Sequence, residues 1–190
     1  MQKAIVLAIG VALLALVSTL ALSYLTDSTS TIQQNGDGIV DSVRASGYVV
    51  VSVVRQNIEI YHFEDHNLIA NAGLDFISAQ IGSTSTGSNG ANYIALTSDT
   101  TAPAATDTTL SGEISGSGLN RAQGTYSHTA GTNTFTVQKV FTASGTVSAI
   151  QKTGLFTASS GGTMMAENTF SSVNLISGDQ LTLTWTITIG

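Results

Sequence analysis

The stretch 181-LTLTWTITI-189 alternates apolar and hydroxyl side chains without a break. Its odd-numbered positions are Leu181, Leu183, Trp185, Ile187 and Ile189, and threonine occupies every even-numbered position between them. Because successive side chains of a β-strand point to opposite faces, this pattern gives one apolar face and one hydroxylated face. The stretch therefore predicts a strand that turns its Leu/Trp/Ile face, with Trp185, into a core.

Several other segments rich in β-branched residues precede this strand, separated by Gly, Ser or Asn at roughly ten-residue spacing. We predict strands at 48–54, 57–63, 93–97, 124–128, 134–143, 146–153, 163–168 and 171–175. One segment breaks the pattern, since Leu74, Ile77 and Ile81 fall at the spacing of an amphipathic helix over 71–81. Many short strands at such spacing are typical of a sandwich or barrel.

Residues 4–26 form an apolar run without a charged residue. As an α-helix the run would be roughly 33 Å long, close to the roughly 30 Å of bilayer hydrocarbon. Hydropathy does not separate a helix in lipid from a helix in the dry centre of a bundle of its own copies. A cleaved signal peptide is a third interpretation, although the run is longer than the usual apolar core of such peptides.

We interpret this run as a polymerisation helix that spans the membrane before assembly. Its contact residues would be Ile5, Leu7, Ile9, Gly10, Leu13, Leu14, Leu16, Val17 and Leu20. The sequence 35-NGDG-38 then predicts a hinge at Gly36 and Gly38, because glycine readily adopts the positive φ of tight turns. The predicted organisation is a helix over 1–34, a hinge over 35–38 and a head over 39–190.

The predicted fold class is therefore mainly β. It consists of a long hydrophobic N-terminal α-helix followed by a β-sandwich head, Ig-like or jelly-roll-like, with one short helix.

Composition excludes several classes of function. The formal net charge is -6, and the six Lys and Arg residues are scattered, so nucleic acid is not an expected partner. The chain has no cysteine and therefore no thiol nucleophile or thiolate metal site. No G-x-S-x-G motif is present, and we expect neither an enzyme nor a cofactor.

Two short segments are weak candidates for metal ligands. In a strand, His62, Glu64 and His66 would share one face, where imidazole and carboxylate could hold a divalent ion. Asn35, Asp37 and Asp41 resemble the start of a calcium loop, but Ser46 stands where such a loop needs a bidentate glutamate. A solvated strand end and a solvated hinge are the alternatives that we favour.

Two resemblances to known families suggest a function. The stretches 67-NLIANAGLDFISAQ-80, 93-YIALTSDTTAPAATDTTLSGEI-114, 121-RAQGTYSHTAGTNTFTVQKVFTASGTV-147 and 159-SSGGTMMAENTFSSVNLISGDQLTLTWTITI-189 resemble a β-rich domain of structural and tail-associated proteins of tailed viruses. The layout of an apolar helix before a β head resembles archaeal type IV pilins and archaellins. That second resemblance implies helices packed in a filament core and heads facing outward.

These observations together predict a self-assembling extracellular structural protein. It would be a pilin-like subunit of a cell-surface filament for adhesion, with copies of itself as partner and an unidentified surface receptor. The alternatives are a virion structural protein, such as a spike or tail component, and a membrane-anchored surface binding module.

Overall fold

Nine β-strands and one helix make up most of the chain that the computed structural model describes, which is residues 44–82 and 90–190. The strands are β1 Ala45–Arg55, β2 Ile58–Ile69, β3 Tyr93–Thr97, β4 Ala122–Gln123, β5 Thr125–His128, β6 Thr134–Thr142, β7 Val147–Phe156, β8 Met164–Leu175 and β9 Gln180–Ile189. The helix, α1, is Asn71–Gly82. Its position confirms the short helix predicted over 71–81.

The strands form one antiparallel sheet in the order β4-β3-β7-β8-β2-β1-β9-β6-β5. The outermost strands of this order, β4 and β5, are consecutive in the chain and are separated only by Gly124. A single short segment therefore pairs with β3 through its first residues and with β6 through its last ones. The two edges of the sheet meet in this segment, and the sheet is nearly closed and barrel-like.

Gly124 lies at the point where the two edges meet. Its N–H donates a hydrogen bond to the carbonyl of Asn92 at 2.8 Å, which extends the pairing with the β3 side. A Cβ at this position would lie 2.6 Å from Cγ1 of Val137 and 2.9 Å from the carbonyl oxygen of Gln138. The closing segment can approach β6 this closely because residue 124 has no side chain.

The main core follows from the alternation in β9. Trp185 lies between Val49 of β1 and Val137 of β6 in the strand register, and all three side chains are fully buried. The threonines of β9 are half-buried on the other face. The prediction that Trp185 is a core residue is therefore confirmed.

The predicted fold class is wrong in its architecture. A sandwich has two separate sheets, whereas here β2 pairs with β1 along most of its length and then, at Leu68 and Ile69, with β8. That crossing joins the strands into one sheet. Alternation along a strand reports which face is buried and carries no information about which strands join, so it could not separate the two architectures.

The long hydrophobic helix of the predicted fold class falls on residues outside those described. Among the described residues the one helix is α1. With 12 residues, it is not long and apolar enough to cross a membrane. The predicted hinge, with Gly36 and Gly38, also lies outside them.

The face that α1 presents to the sheet differs in part from the predicted one, because Ile77 packs on the core as expected whereas Leu74 does not. Leu74 is 43% exposed, and the residues that pack on the core are Phe76 and Ile77. The reason is Gly73, whose Cβ would lie 2.2 Å from the carbonyl oxygen of Met165. This close approach of the helix backbone to β8 fixes the rotation of α1.

A second, smaller core lies on the opposite face of β3 and β7, beneath the connection between β3 and β4. It consists of Ala95, Leu110, Phe156 and Met164, with Tyr93 packed against it. Arg121 holds the connection in place, because its guanidinium stacks 3.6 Å from the ring centre of Phe156 and pairs with Glu113. The long polar connection predicted around Pro103 is thus an ordered cover over part of the sheet.

A paired arginine and aspartate fix the turn between β8 and β9. Arg55, at the end of β1, donates from Nε and Nη2 to the two carboxylate oxygens of Asp179 at 2.9 and 2.6 Å. Asp179 also accepts the N–H of Ile176 at 2.9 Å, within its own turn. The hydrogen bonds from Arg55 are the largest cause that holds the pKa of Asp179 below its usual value, and the hydrogen bond from Ile176 adds to it.

We expect Asp179→Asn to destabilise the fold by about 1–3 kcal/mol at neutral pH, since hydrogen bonds to a charged group are lost. A carboxyl whose pKa is lowered by folding stabilises the native state above its unfolded-state pKa, and that stabilisation is lost as the pH falls through the folded-state pKa. The difference between wild type and variant should therefore shrink in acid. Urea unfolding from pH 7 downwards measures it.

The matched variant is Arg55→Met, which removes the other partner of the same pair. It should show a loss of similar size with the same shrinkage in acid, and the double variant should lose less than the sum. If the difference in unfolding free energy between wild type and the variants stayed the same in acid, the ion pair of Arg55 with Asp179 would not be its source.

Candidate functional site

An apolar pocket of about 570 Å³ opens at one end of the domain. Its walls are Phe76 and Ile77 of α1, Tyr126 of β5, Phe135 of β6, Met165 of β8 and Ile189 of β9. Gln80 and Asn92 are its polar lining residues. Ligand pockets typically have about this volume and are mainly apolar with a few polar groups. The pocket can therefore accept an apolar group from outside the domain.

The pocket exists because α1 lies across the end of the sheet. The N–H of Asn71 donates to the carbonyl of Ala105 at 2.8 Å, and that of Ala70 donates to Met165 at 3.0 Å, so the start of the helix is fixed. On the other side, Tyr126 is 57% exposed and packs on Phe135 with ring centres 5.7 Å apart. A large exposed aromatic side chain of this kind is a frequent contact in protein interfaces.

A second apolar feature is the hairpin tip, which we define as residues 55–60. The two turn residues, Gln56 and Asn57, both have positive φ, of 49° and 64°. This is the backbone of a type I′ turn, the tight turn that matches the twist of paired strands. Beyond the turn, Ile58 is 66% exposed and Ile60 is 48% exposed. The hairpin tip thus presents two branched apolar side chains to solvent.

The pocket and the hairpin tip lie at opposite ends of β1. In the register, Ala45 pairs with Ile189, a wall of the pocket, whereas Arg55 pairs with Ile58 at the hairpin tip. The two pairs are ten residue steps apart along β1, which corresponds to about 33 Å. One domain therefore carries an apolar projection and an apolar recess on different surfaces.

The predicted metal ligands lie on the exposed face of β2. The Nδ1 atom of His62 is 3.0 Å from Glu59, and its Nε2 atom is 3.9 Å from Glu64. His66 packs edge-on against Tyr48 at 5.6 Å between ring centres. The hydrogen bond with Glu59 raises the pKa of His62. No group of three His, Cys, Asp or Glu side chains within the described ranges is arranged to hold a metal ion.

The other predicted site residues lie outside the described residues. These are the polymerisation residues within 4–26, the hinge glycines, and the calcium-loop candidates Asn35, Asp37 and Asp41. Their proposed roles stay predictions.

Sequence reasoning missed a buried cluster of charged side chains. Lys152 of β7 and Glu167 of β8 are 3% and 0% exposed, and their charged groups are 2.8 Å apart. Asp99 and Asp107, from the connection that covers the second core, lie beside them. A signal was present, because Glu167 directly follows the apolar residues 164–166 and Lys152 lies between Ile150 and Leu155. A charged residue inside such a segment indicates a buried partner.

Comparison with known protein families, with characterised proteins and with solved structures found no match. The resemblances to archaeal pilins and archaellins and to tailed-virus proteins are therefore wrong as assignments. The described fold also differs from the one that the resemblances implied, since it is one nearly closed sheet with a 12-residue helix and not a sandwich.

We expect the full-length protein to fold without a metal ion, because His66 is packed on Tyr48 while His62 is engaged by Glu59. Thermal melting with excess chelator, then with zinc or calcium, tests this expectation. The midpoint should move by less than about 5 °C, which corresponds to around 1 kcal/mol for a domain of this size. A larger rise that disappears in His62→Ala would establish a site at His62, Glu64 and His66.

Proposed function

We propose that the chain is a structural subunit that assembles with its own copies, with the hairpin tip of one subunit in the apolar pocket of the next. The observation that carries the proposal is the placement of the two features at opposite ends of β1. A contact between two different surfaces of the same molecule is heterologous, and it propagates into a ring or an open filament. This class of function agrees with the expectation from the sequence.

The chemistry of the two surfaces supports this contact. Ile58 and Ile60 are apolar and exposed, and full burial of such a side chain contributes roughly 1.5–3 kcal/mol. The pocket presents aromatic, aliphatic and thioether surfaces that are suited to branched side chains. Tyr126 and Phe135 would contact the incoming residues edge-on or face-on.

This contact is too small to hold a stable assembly alone, since specific interfaces commonly bury more than about 1,000 Å². The apolar run 4–26 is the second source of association in the proposal. It would supply further apolar burial between copies and would hold the chain in the membrane before assembly. The hairpin and pocket would then set the order of subunits at the cell surface.

The test uses the full-length chain after removal of detergent. Ile58→Asp/Ile60→Asp should block the hairpin tip, and Tyr126→Asp should block the pocket, each weakening assembly at least about tenfold, because a carboxylate would be buried in an apolar contact. Sedimentation velocity and negative-stain microscopy measure the assemblies. The matched control is Val140→Asp, at a side chain that is 45% exposed on β6 away from both features.

Mixing the two blocked variants distinguishes a heterologous contact from nonspecific association. One retains an intact pocket and the other an intact hairpin tip, so each mixed pair can form one such contact, and the mixture should recover part of the assembly that each variant alone loses. If both variants assemble as wild type does, the proposed contact is wrong. If the wild type itself stays monomeric, the result favours a membrane-anchored binding module over a structural subunit. If it forms particles and not filaments, the result favours a virion component.

A further inference from the structure

Lys152 and Glu167 are held against each other beneath the connection between β3 and β4. In the register Lys152 pairs with Thr169 and Gly154 pairs with Glu167, so the two charged residues are diagonal neighbours on one face of the sheet. The Nζ atom is 2.8 Å from Oε2 of Glu167. Within the described chain, Oε2 nevertheless has no partner with the geometry of a hydrogen bond. The nitrogen is thus close to the carboxyl group without the alignment of an ordinary hydrogen bond.

The other oxygen of Glu167 and its neighbours are also fixed. Oε1 accepts the N–H of Ala104 at 3.1 Å. The carboxyl group of Asp107 lies beside that of Glu167, and its Oδ2 accepts the same N–H of Ala104, also at 3.1 Å. Burial raises the pKa of Glu167, which favours the protonated form of this carboxyl group relative to an exposed glutamate. On the other side, the nearest Asp99 oxygen lies 3.9 Å from Nζ and is partly open to solvent.

We propose that Lys152 and Glu167 condense to an intramolecular amide that covalently joins β7 to β8. The ammonium group of Lys152 loses one proton to Asp99 and from there to solvent. The free amine attacks Cδ of the protonated Glu167, the N–C bond forms, and the bond from Cδ to Oε2 breaks. Asp107 transfers a second amine proton to the departing hydroxyl, which leaves as water. The step needs no oxidant, reductant or activated group.

Two features of the cluster favour this reaction. The N–H of Ala104 is shared between Oδ2 of Asp107 and Oε1 of Glu167, where negative charge develops during attack on Cδ, and a positioned backbone donor stabilises such charge. Holding two reacting groups together can correspond to effective concentrations of about 10⁵ M or more. The product also replaces a buried ionisable pair, which is costly to desolvate, by a neutral amide.

In the experiment, full-length protein that has folded is denatured and then cleaved chemically. Cyanogen bromide cleaves after methionine, and the methionines are Met1, Met164 and Met165. Both internal cleavage sites lie between Lys152 and Glu167, so the fragments 2–164 and 166–190 separate under denaturing conditions unless an amide joins them. We expect a joined product whose mass is lower by one water than that of the unlinked fragments combined.

Matched variants locate the bond. Lys152→Arg keeps the positive charge but should release the two fragments at full mass, and Asp107→Asn should greatly reduce the joined product. Lys139→Arg, at a lysine outside the cluster, should leave the joined product unchanged. Separate fragments from folded wild-type protein would overturn the proposal. So would a loss of water that maps to Asp37 and Gly38, where an aspartate can cyclise on its own backbone.

Discussion

The described structure depends on one close passage of the chain, where Gly124 carries the backbone from one edge of the sheet to the other. On one side its N–H is bonded to Asn92, and on the other the next residue, Thr125, pairs with Gln138 of β6. Since a side chain here would overlap Val137, the closure of the sheet rests on a residue without one. A closed sheet has few exposed edges, and exposed edges are where β proteins aggregate without order.

Closure also gives the domain two distinct ends. At one end the short strand β5 and the helix α1 leave an apolar recess, and at the other the tight turn between β1 and β2 projects two isoleucines. Copies that associate through these two different ends, and not along exposed strand edges, are joined in one direction. The buried lysine and glutamate lie on the sheet between these ends, and an amide there would make β7 and β8 one covalent unit.

The sequence predicted the local structure better than the way the strands join. Alternation identified β9 and the burial of Trp185, because a strand's period is a property of neighbouring residues. The short helix and the packing of Ile77 were predicted, but the exposure of Leu74 was not, since the contact of Gly73 with Met165 depends on residues far apart in the chain. The joining of β2 to β8 and the meeting of β4 with β5 are likewise set by long-range pairing. For the same reason the pocket, whose walls come from five separate elements, could not be read from any one segment.

Urea unfolding of Gly124→Ala beside Gly82→Ala tests directly whether closure at residue 124 holds the domain together. A Cβ at Gly82 meets nothing within 4 Å, so that variant controls for the loss of glycine alone. We expect Gly124→Ala to lose about 1–3 kcal/mol of unfolding free energy, the usual cost of overpacking, and Gly82→Ala to change little. Equal stability of the two variants would show that the edges of the sheet are not held together at this residue.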